Sequence, residues 1–260
     1  MPRTNSKKSV VVLATATFYN FHNPSDKVRA TLALRLAKDA KRYGYPLIIV
    51  DGGSGITFQN NLKKEGVRVS EEKIPGMGAA RRQAFREAFA LGAKIVVYLE
   101  PEKYSFLPFV KKCVEPILTG KADMVIPKRK SLKTLPLFQQ HSEFLGNFFC
   151  EAITGKNYDI FFGVRIFNKK AAQYFLDYRG KYGDKWDSIL TPIVDAMQGK
   201  NKIVQIEIPY RYDPRQTRIE EHDIRFYKKR MEQLTSTITA IEDRWNFFQK
   251  NNQRKLKIVN

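Results

Sequence analysis

The stretch Leu47-Ile-Ile-Val-Asp51, continued by Gly52-Gly53-Ser54-Gly55, decides the fold of this chain. An unbroken apolar run of this length, rich in β-branched residues, is typical of a strand buried on both faces of a parallel sheet. The glycines that follow it predict a tight turn. A second run of the same kind, Val10 to Ala16, lies upstream. Two parallel strands need a crossover segment between them.

The segment between these two runs has the periodicity of a helix. Its apolar residues recur at every fourth position from Val28 to Ala40. Pro24-Ser25-Asp26 predicts where the helix starts, and Gly44 predicts where it ends. The sequence therefore predicts a strand-helix-strand unit and an α/β fold with a mostly parallel sheet.

This unit repeats along the first half of the chain. The further predicted elements are a strand at Val67–Ser70, a helix at about Ala79–Leu91, a strand at Ile95–Glu100, a helix around Phe106–Leu118 and a strand at Met124–Pro127.

The regular alternation of strands and helices changes after Pro127. There a predicted basic loop, Lys128–Lys130, leads into an aromatic-rich segment, Phe138–Ile153. Strands are predicted at Ile160–Phe167 and Ile203–Ile208, and helices at Lys169–Tyr178, near Asp187–Gln198 and at Ile224–Lys250. These patterns predict one compact α/β domain that ends in a long helix.

The charge balance predicts an anionic partner. The 260 residues include 46 Lys and Arg against 26 Asp and Glu, which gives a formal net charge of +20. Nucleic acid, a phosphorylated metabolite and an acidic lipid surface all remain possible partners on charge alone. The basic residues of the C-terminal segment favour an acidic membrane surface, and its aromatic residues favour packing on the domain or on a second subunit.

Other compositional features exclude several protein classes. Cys113 and Cys150 lie far apart, which argues against a disulfide framework and against a zinc site. Neither a secretion signal after the basic stretch Met1–Lys8 nor an apolar run long enough to span a bilayer is visible. We expect a soluble cytoplasmic protein.

In open α/β sheets ligands lie at the carboxyl ends of the strands, so the residues there are the candidate site. Asp51 ends the second strand and can accept hydrogen bonds from a base or from ribose hydroxyls; alternatively it caps the turn. The loop ending in Gly78 leads into a helix N-terminus that could receive a diphosphate. Arg81 lies on the buried stripe of that helix, where it binds an anionic ligand or pairs with Asp51 or Glu100, whereas Arg82 is expected to face solvent.

Glu100-Pro101-Glu102 follows the fourth strand. Extended backbone before the proline lets the two carboxylates point to one place. Two close carboxylates need a cation between them, and Mg²⁺ or Mn²⁺ would supply it while also binding phosphate oxygens. The alternative is that both glutamates belong to the acidic first turn of a helix, with Lys103 neutralising one of them.

These motifs, in this order and together with Thr17-Phe18-Tyr19-Asn20 after the first strand, resemble the nucleotide-sugar half of the GT-A glycosyltransferases. The resemblance covers about residues 9–127. It implies a Rossmann-like, mostly parallel central sheet flanked by helices. Glu100 and Glu102 stand where that family has a metal-binding D-x-D triad. The nucleotide-sugar-binding residues that it implies are Thr17, Tyr19, Asp51, Gly78, Arg81 and Glu100.

The second half is similar to two branches of that fold. The segments around Arg129 and Arg165 resemble the acceptor side of dolichyl-phosphate-mannose-synthase-like enzymes. Lys185-Trp186-Asp187, Ile206–Pro209 and His222 resemble mannosylglycerate and glucosylglycerate synthases. That resemblance implies that His222 completes the metal site and that Asp187 lies near the reacting sugar, with Asp187 as a candidate base. Asp187 could instead cap a helix, and His222 could be an ordinary exposed histidine.

Arg211, Arg215 and Arg218 surround Pro214 in a predicted mobile loop that would close over a diphosphate or an anionic acceptor. We expect a single domain over residues 1–260, with a nucleotide-sugar half at 9–127, an acceptor half at 128–222 and a C-terminal helix and tail at 223–260.

The expected activity is metal-dependent transfer of a hexose from a nucleoside-diphosphate sugar to a small or phosphorylated acceptor, with retention suggested by the resemblance. A second copy of the chain, in a homo-oligomer, and a membrane surface, in a peripheral contact, are further possible partners. The sugar-phosphate nucleotidyltransferases share the general fold, but Ala14-Thr-Ala-Thr-Phe-Tyr19 lacks their glycine-rich loop. The alternative is a catalytically degenerate basic protein that binds nucleic acid or an anionic surface, although no nucleic-acid-binding motif supports it.

Overall fold

Seven strands form one mixed sheet in the order β3-β2-β1-β4-β6-β5-β7. The computed structural model describes residues 10–199 and 201–259, with side chains as far as residue 250. The basic stretch Met1–Lys8 lies outside the described residues. The strands are β1 Val11–Thr17, β2 Leu47–Asp51, β3 Arg68–Glu71, β4 Ile95–Tyr98, β5 Met124–Arg129, β6 Arg165–Asn168 and β7 Ile203–Ile208.

Helices cover both faces of this sheet. They are α1 Pro24–Tyr43, α2 Ile56–Lys64, α3 Met77–Ala90, α4 Val110–Leu118, α5 Leu137–Thr154, α6 Lys169–Asp177, α7 Asp187–Gln198, α8 Pro214–Glu220 and α9 Ile224–Val259. Two 3-10 segments, Pro101–Phe109 and Ile160–Phe162, lie between them.

The strand register sets the position of the candidate site. β1 is parallel to β2 and β4, with Thr17 opposite Asp51, so the ends of these three strands share one edge of the sheet. β6 runs antiparallel between β4 and β5. The predicted α/β fold with a mostly parallel sheet is therefore confirmed, and β6 is its antiparallel exception.

Side chains that alternate along the strands contribute to two apolar layers, one on each face of the sheet. Leu13, Ile49 and Val97 pack on one face of the sheet with the inner sides of α1 and α4. Val12 and Ile48 pack on the other face with α3, α6 and α7. Residues that alternate in this way on strands covered from both sides explain the unbroken apolar runs in the sequence.

Several predicted elements were wrong in their details. Lys128 and Arg129 belong to β5 rather than to a loop, because β5 pairs with β7 as far as Arg129. Of the strand predicted at Ile160–Phe167, Ile160–Phe162 forms a 3-10 segment that ends at Gly163, where the backbone has a φ of 84°, and the strand begins only at Arg165. The helix predicted from Phe106 begins instead as a 3-10 segment at Pro101.

The predicted mobile loop around Pro214 is also wrong, because this segment forms helix α8. Pro214 occupies the first helical position, where its fixed φ is suited to a helix, and the Asp213 carboxylate accepts a hydrogen bond of 2.8 Å from the Arg215 amide. None of the helices in the described part of the chain is both long and apolar enough to cross a membrane.

Candidate active site

A small cavity of about 40 Å³ lies beyond the carboxyl end of β4. It brings together three of the residues predicted from sequence, Arg81, Glu100 and Glu102. The other charged residues that line it are Arg29, Lys103, Glu143, Lys229 and Arg230. Cationic side chains outnumber carboxylates in this lining, so the cavity favours an anionic ligand.

Arg81 is buried, with 4% of its surface exposed, and is held in a fixed position. Its Nε donates to the Tyr98 hydroxyl at 2.7 Å, and its Nη1 donates to the Lys185 carbonyl at 2.6 Å and to the Ser188 hydroxyl at 2.8 Å. All these partners are neutral, and burial raises the pKa of Tyr98 to about 12. The guanidinium therefore keeps its charge available to the cavity without a directly bonded carboxylate.

Glu100 forms an ion pair with Lys103. Loss of solvent raises the pKa of the Glu100 carboxyl, but Lys103, Arg81 and Arg230 outweigh this effect and hold the pKa at about 2. Glu100 is therefore an anion at any physiological pH. Lys103 is the neutralising partner that the sequence offered as an alternative to a metal.

Three further cations that line the cavity come from helices. Arg29 comes from α1, and Lys229 and Arg230 come from α9. Loss of solvent, reinforced by the two arginines, lowers the pKa of Lys229 to about 8. The Arg29 Nη2 donates to the buried Glu220 carboxylate, while the Nε atoms of Arg29 and Arg230 are buried and have no hydrogen-bond partner within the described residues. A cluster of cations with unused donors is suited to phosphate oxygens.

The two glutamates fit a divalent cation in their chemistry and in their shared position. Carboxylate oxygens are the ligands that Mg²⁺ and Mn²⁺ prefer, and such ions commonly use one or two carboxylates and take further oxygens from substrate phosphates. Within the described residues, no group of three or more His, Cys, Asp or Glu side chains is placed to hold a metal ion. His222 does not join the glutamates, because it lines a different cavity. The chain itself offers Glu100 and Glu102.

Asp51 lies at the predicted edge, but its carboxylate is fully engaged by its own turn together with β1 and α2. It is 1% exposed and accepts hydrogen bonds from the Thr17 hydroxyl at 2.6 Å, the Ser54 hydroxyl at 2.5 Å and the Gln59 amide at 2.9 Å. Backbone amides of Gly53 and Ser54 donate as well. This is the turn-capping arrangement that the sequence left open, and Thr17 takes part in it. The Ser54 hydroxyl also accepts from the Tyr19 amide at 2.8 Å.

The start of α3 is covered by a loop rather than open. The Gly78 amide donates to the Asp184 carbonyl at 2.9 Å, and a Cβ at Gly78 would clash with the Asp184 carboxylate. Arg82 was expected to face solvent, and this is wrong. Its guanidinium pairs in bidentate fashion with Asp184 at 2.7 and 2.5 Å. The carboxylate of Asp184 thus lies at the helix N-terminus where an anion was predicted.

Asp187 is the first residue of α7 and is 1% exposed. One oxygen accepts from the Lys185 amide at 2.7 Å and the other from the Tyr178 hydroxyl at 2.9 Å. Its neighbour Trp186 lines the cavity, whereas Asp187 itself packs behind it. The carboxylate therefore shapes the turn whose Lys185 carbonyl holds Arg81.

Arg129 and Arg165, both predicted on the acceptor side, are buried behind the cavity. Arg129 forms a bidentate ion pair with Asp159 at 2.8 and 2.7 Å and a second ion pair with Glu143 at 2.6 Å. Arg165 donates to the carbonyls of Val164 and Ile160, and burial lowers its pKa to about 10. Partners within the protein thus hold both guanidinium groups, and the buried Nε of Arg165 has no hydrogen-bond partner within the described residues.

A second, more open cavity of about 740 Å³ contains the remaining predicted residues. Arg211, Arg218 and His222 line it together with Lys133. Tyr212 lines both cavities, so they adjoin through one side chain. Arg215 pairs with Asp213 at 3.0 Å.

Sequence reasoning missed the residues that other elements bring to the inner cavity. Arg29 and Tyr212 lie on separate segments, and no motif marks them. Trp186 belongs to the Lys185-Trp186-Asp187 motif, but that motif pointed to Asp187. Lys229 and Arg230 belong to the basic C-terminal segment that was expected to favour a membrane surface; the structure turns them inward. Arg244, in the same segment, pairs with Asp195. In the sequence, the one feature that marks Lys229 and Arg230 is their positive charge on a long predicted helix.

Three solved structures show what the chain is similar to. Glucosyl-3-phosphoglycerate synthase from Mycobacterium tuberculosis matches with a TM-score of 0.62 and 15% identity, over 91% of this chain and 81% of that chain. The same synthase in complex with Mn²⁺, UDP-glucose and phosphoglyceric acid matches with a TM-score of 0.63 and 13% identity, over 91% and 80%. Its complex with Mn²⁺, UDP and glucosyl-3-phosphoglycerate matches with a TM-score of 0.59 and 14% identity, over 91% and 80%.

The chain has the fold of these synthases. The predicted GT-A fold is thereby confirmed over nine-tenths of the chain. No protein-family model matches the sequence, and no curated protein sequence matches it either. At this level of identity the likeness lies in the fold, and the function must be argued from the site.

Proposed function

We propose that this chain is a glycosyltransferase that moves a hexose from a nucleoside-diphosphate sugar to a small phosphorylated acceptor, with a divalent metal. One observation carries the proposal: Arg81, Glu100 and Glu102 converge on a single cavity at the carboxyl edge of the sheet. Open α/β folds bind their ligands at this edge. The fold is shared with a synthase whose structures contain Mn²⁺, UDP-glucose and phosphoglyceric acid.

The cationic lining has a role in this reaction. Breaking the bond between the sugar and the diphosphate leaves negative charge on the departing phosphate oxygens. Arg81, held by Tyr98 and Ser188, would already point at that charge. Prearranged donors in a poorly solvated site stabilise such charge without reorganising during the reaction. Arg29, Lys229 and Arg230, which line the same cavity, would add to the same field.

Glu100 and Glu102 are the residues that would hold the metal. When bound there, a divalent cation would neutralise part of the charge on the leaving diphosphate. For Glu100 to become a ligand, its ion pair with Lys103 has to open. The released ammonium would remain in the cavity as a further cation for phosphate.

The open cavity is the proposed entrance for the acceptor. Its Arg211, Arg218, Lys133 and His222 are suited to a phosphate group, and it adjoins the inner cavity through Tyr212. Asp187 is proposed as a positioning residue for the Lys185 turn rather than as the base. Retention at the anomeric carbon is the outcome expected from the resemblance to the glycerate-linked synthases.

Calorimetric titration with UDP-glucose and GDP-mannose, with and without Mn²⁺, tests the donor site. We expect binding of one donor that Mn²⁺ strengthens and that Glu102→Gln weakens. Arg81→Met should weaken donor binding by about 10- to 100-fold, because it removes charged hydrogen bonds to phosphate. Arg86→Met is the matched control, since Arg86 is exposed on the same helix.

Two results would reverse the proposal. One is the absence of binding to any nucleotide sugar together with strong, salt-sensitive binding to RNA, which would favour the basic-protein alternative. The other is equal loss of donor binding in the Arg81 and Arg86 variants, which would place the effect outside the cavity.

A further inference from the structure

Helix α5 is inverted with respect to the usual amphipathic arrangement. In the first half of α5 the side that faces the protein is polar, with Gln139, Ser142 and Glu143 all nearly fully buried, and Cys150 continues that side into the apolar core. Apart from the exposed His141, the side that faces solvent is apolar, with 58% of Phe148 and 62% of Phe144 exposed. We call this side the α5 outer face. Its apolar members are Leu137, Phe144, Leu145, Phe148, Phe149 and Ala152.

The polar inner side is explained by the site. Glu143 pairs with the buried Arg129, and Asn147 donates to Asp159 at 2.9 Å and accepts from the Phe161 amide at 3.2 Å. The α5 outer face takes part in none of these contacts. Phe144 and Phe148 stack on each other with ring centroids 6.5 Å apart, exposed to water. Contiguous apolar surface of this kind marks an interaction site.

The surroundings of the α5 outer face are cationic. From residue 128 to residue 158 the acidic residues are Glu143, which is buried, and Glu151, which accepts from Asn157. Lys128 lines a hollow together with Phe144 and Phe148. Among the exposed cations of the same segment and of the adjoining start of α9, Lys130 pairs with Glu207 at 3.6 Å and Arg225 with Asp223 at 3.2 Å, and the Glu221 carboxylate accepts from the Leu137 amide at 3.3 Å. Lys133, Lys156 and Lys228 form no ion pair within the described residues and supply the net positive charge.

We propose that the α5 outer face docks on an anionic lipid bilayer, with its aromatic side chains in the interface and the flanking lysines on the headgroups. A helix that lies in the interface plane needs an apolar side and cationic flanks, and both are present. A second copy of this chain is the less favourable occupant, because it would bring the lysine flanks of two copies together. The formal charge of +20 favours an acidic surface in the same way.

This proposal gives the C-terminal segment a smaller part in the membrane contact than its basic residues alone would suggest. Lys229 and Arg230 line the inner cavity, whereas the exposed Arg225 and Lys228 lie beside the α5 outer face. The apolar side chains that a bilayer requires are on α5. Because the contact is peripheral, it agrees with the finding that the described helices lack a membrane-spanning one.

Co-sedimentation with vesicles tests the proposal. The full chain is mixed with phosphatidylcholine vesicles that either contain about 30 mol% of the anionic lipid phosphatidylglycerol or lack it. We expect binding to the anionic vesicles only, which falls as salt rises. The double variant Leu145→Ser, Phe148→Ser should reduce the partition coefficient by at least about 10-fold, because it removes buried apolar area from the interface. Ile56→Ser is the matched control, since Ile56 is 64% exposed on α2.

The outcomes separate the possible occupants. Equal binding of the double variant and the parent chain, or equal binding to neutral and anionic vesicles, would overturn the proposal. A parent chain that is a dimer by light scattering, a double variant that is a monomer, and no vesicle binding by either would assign the face to a second copy. A thermal melt confirms that the double variant is folded, and nucleotide-sugar binding by both proteins shows independently whether the proposed function holds.

Discussion

Helices α1 and α5 are of similar length, at 20 and 18 residues, but they present opposite sides to water. α1 buries Leu32, Leu36 and Ala40 and exposes Lys27, Arg35 and Lys38. α5 buries Gln139 and Glu143 and exposes Phe144 and Phe148. The apolar side of α1 is filled by the core, whereas the inner side of α5 is part of the polar wall of a site.

The contrast shows that a hydrophobic pattern identifies a helix without telling which side of it is inside. For α1 the apolar side is also the inner side, because its neighbours are strands and apolar helices. For α5 the inner neighbours are Arg129, Asp159 and Arg230, so polar residues are required inside. The stability of the fold should therefore depend on apolar residues in α1 and on ion pairs in α5.

The largest effect is expected where the polar wall of α5 is broken. Arg129→Met leaves the buried carboxylates of Asp159 and Glu143 without their cation and should lower the free energy of unfolding by about 3–5 kcal/mol. Urea denaturation followed by circular dichroism measures this. A loss below about 1 kcal/mol would show that the polar wall does not stabilise the fold.

A matched pair of leucines tests the contrast directly. Leu36→Ala on the buried side of α1 should cost about 2–5 kcal/mol of unfolding free energy, because it leaves a cavity in the core. Leu145→Ala on the α5 outer face should change the free energy by no more than about 0.5 kcal/mol. Equal costs in the same denaturation assay would contradict the inverted arrangement of α5.

A smaller effect is expected from acid. Burial raises the pKa of Asp159, but Arg129 and the hydrogen bonds of Asn147 outweigh it, so the folded pKa lies below the ordinary 3.8. This pair therefore stabilises the fold above pH 4, and the contribution is lost as the pH falls from there through the lowered pKa. Unfolding free energies measured between pH 5 and 2 should fall more steeply for the parent chain than for Asp159→Asn; parallel curves would be inconsistent with this account.

The parts of the fold that could be predicted from sequence are those with a local signal. β2 and β7 have the predicted bounds because an unbroken apolar run marks β2, alternating apolar and polar residues mark the second half of β7, and turns or loops end both. A strand was predicted at β6, but its antiparallel direction was not. Strand direction depends on pairing with β4 and β5 and leaves no mark in a run of four residues.

The residues of the candidate site also differ in whether a local signal in the sequence identifies them. Arg81, Glu100 and Glu102 could be found because each follows a strand or opens a helix at one edge of the sheet. Arg29, Lys229 and Arg230 come from helices far apart in sequence, and only packing brings them to the cavity. Asp51 shows the opposite limit: its position was predicted, but its hydrogen bonds to Thr17, Ser54 and Gln59 depend on the detailed turn.

The most direct test of the central claim is a transfer assay with the full chain, UDP-glucose or GDP-mannose as donor, 3-phosphoglycerate as acceptor and Mn²⁺. The account predicts that mass spectrometry detects the acceptor with one added hexose, together with release of the nucleoside diphosphate, and that Glu102→Gln abolishes both. A nucleotide sugar that binds but is never consumed, with this acceptor or with a panel of other phosphorylated and small hydroxyl acceptors, would contradict the proposal that the chain is a glycosyltransferase.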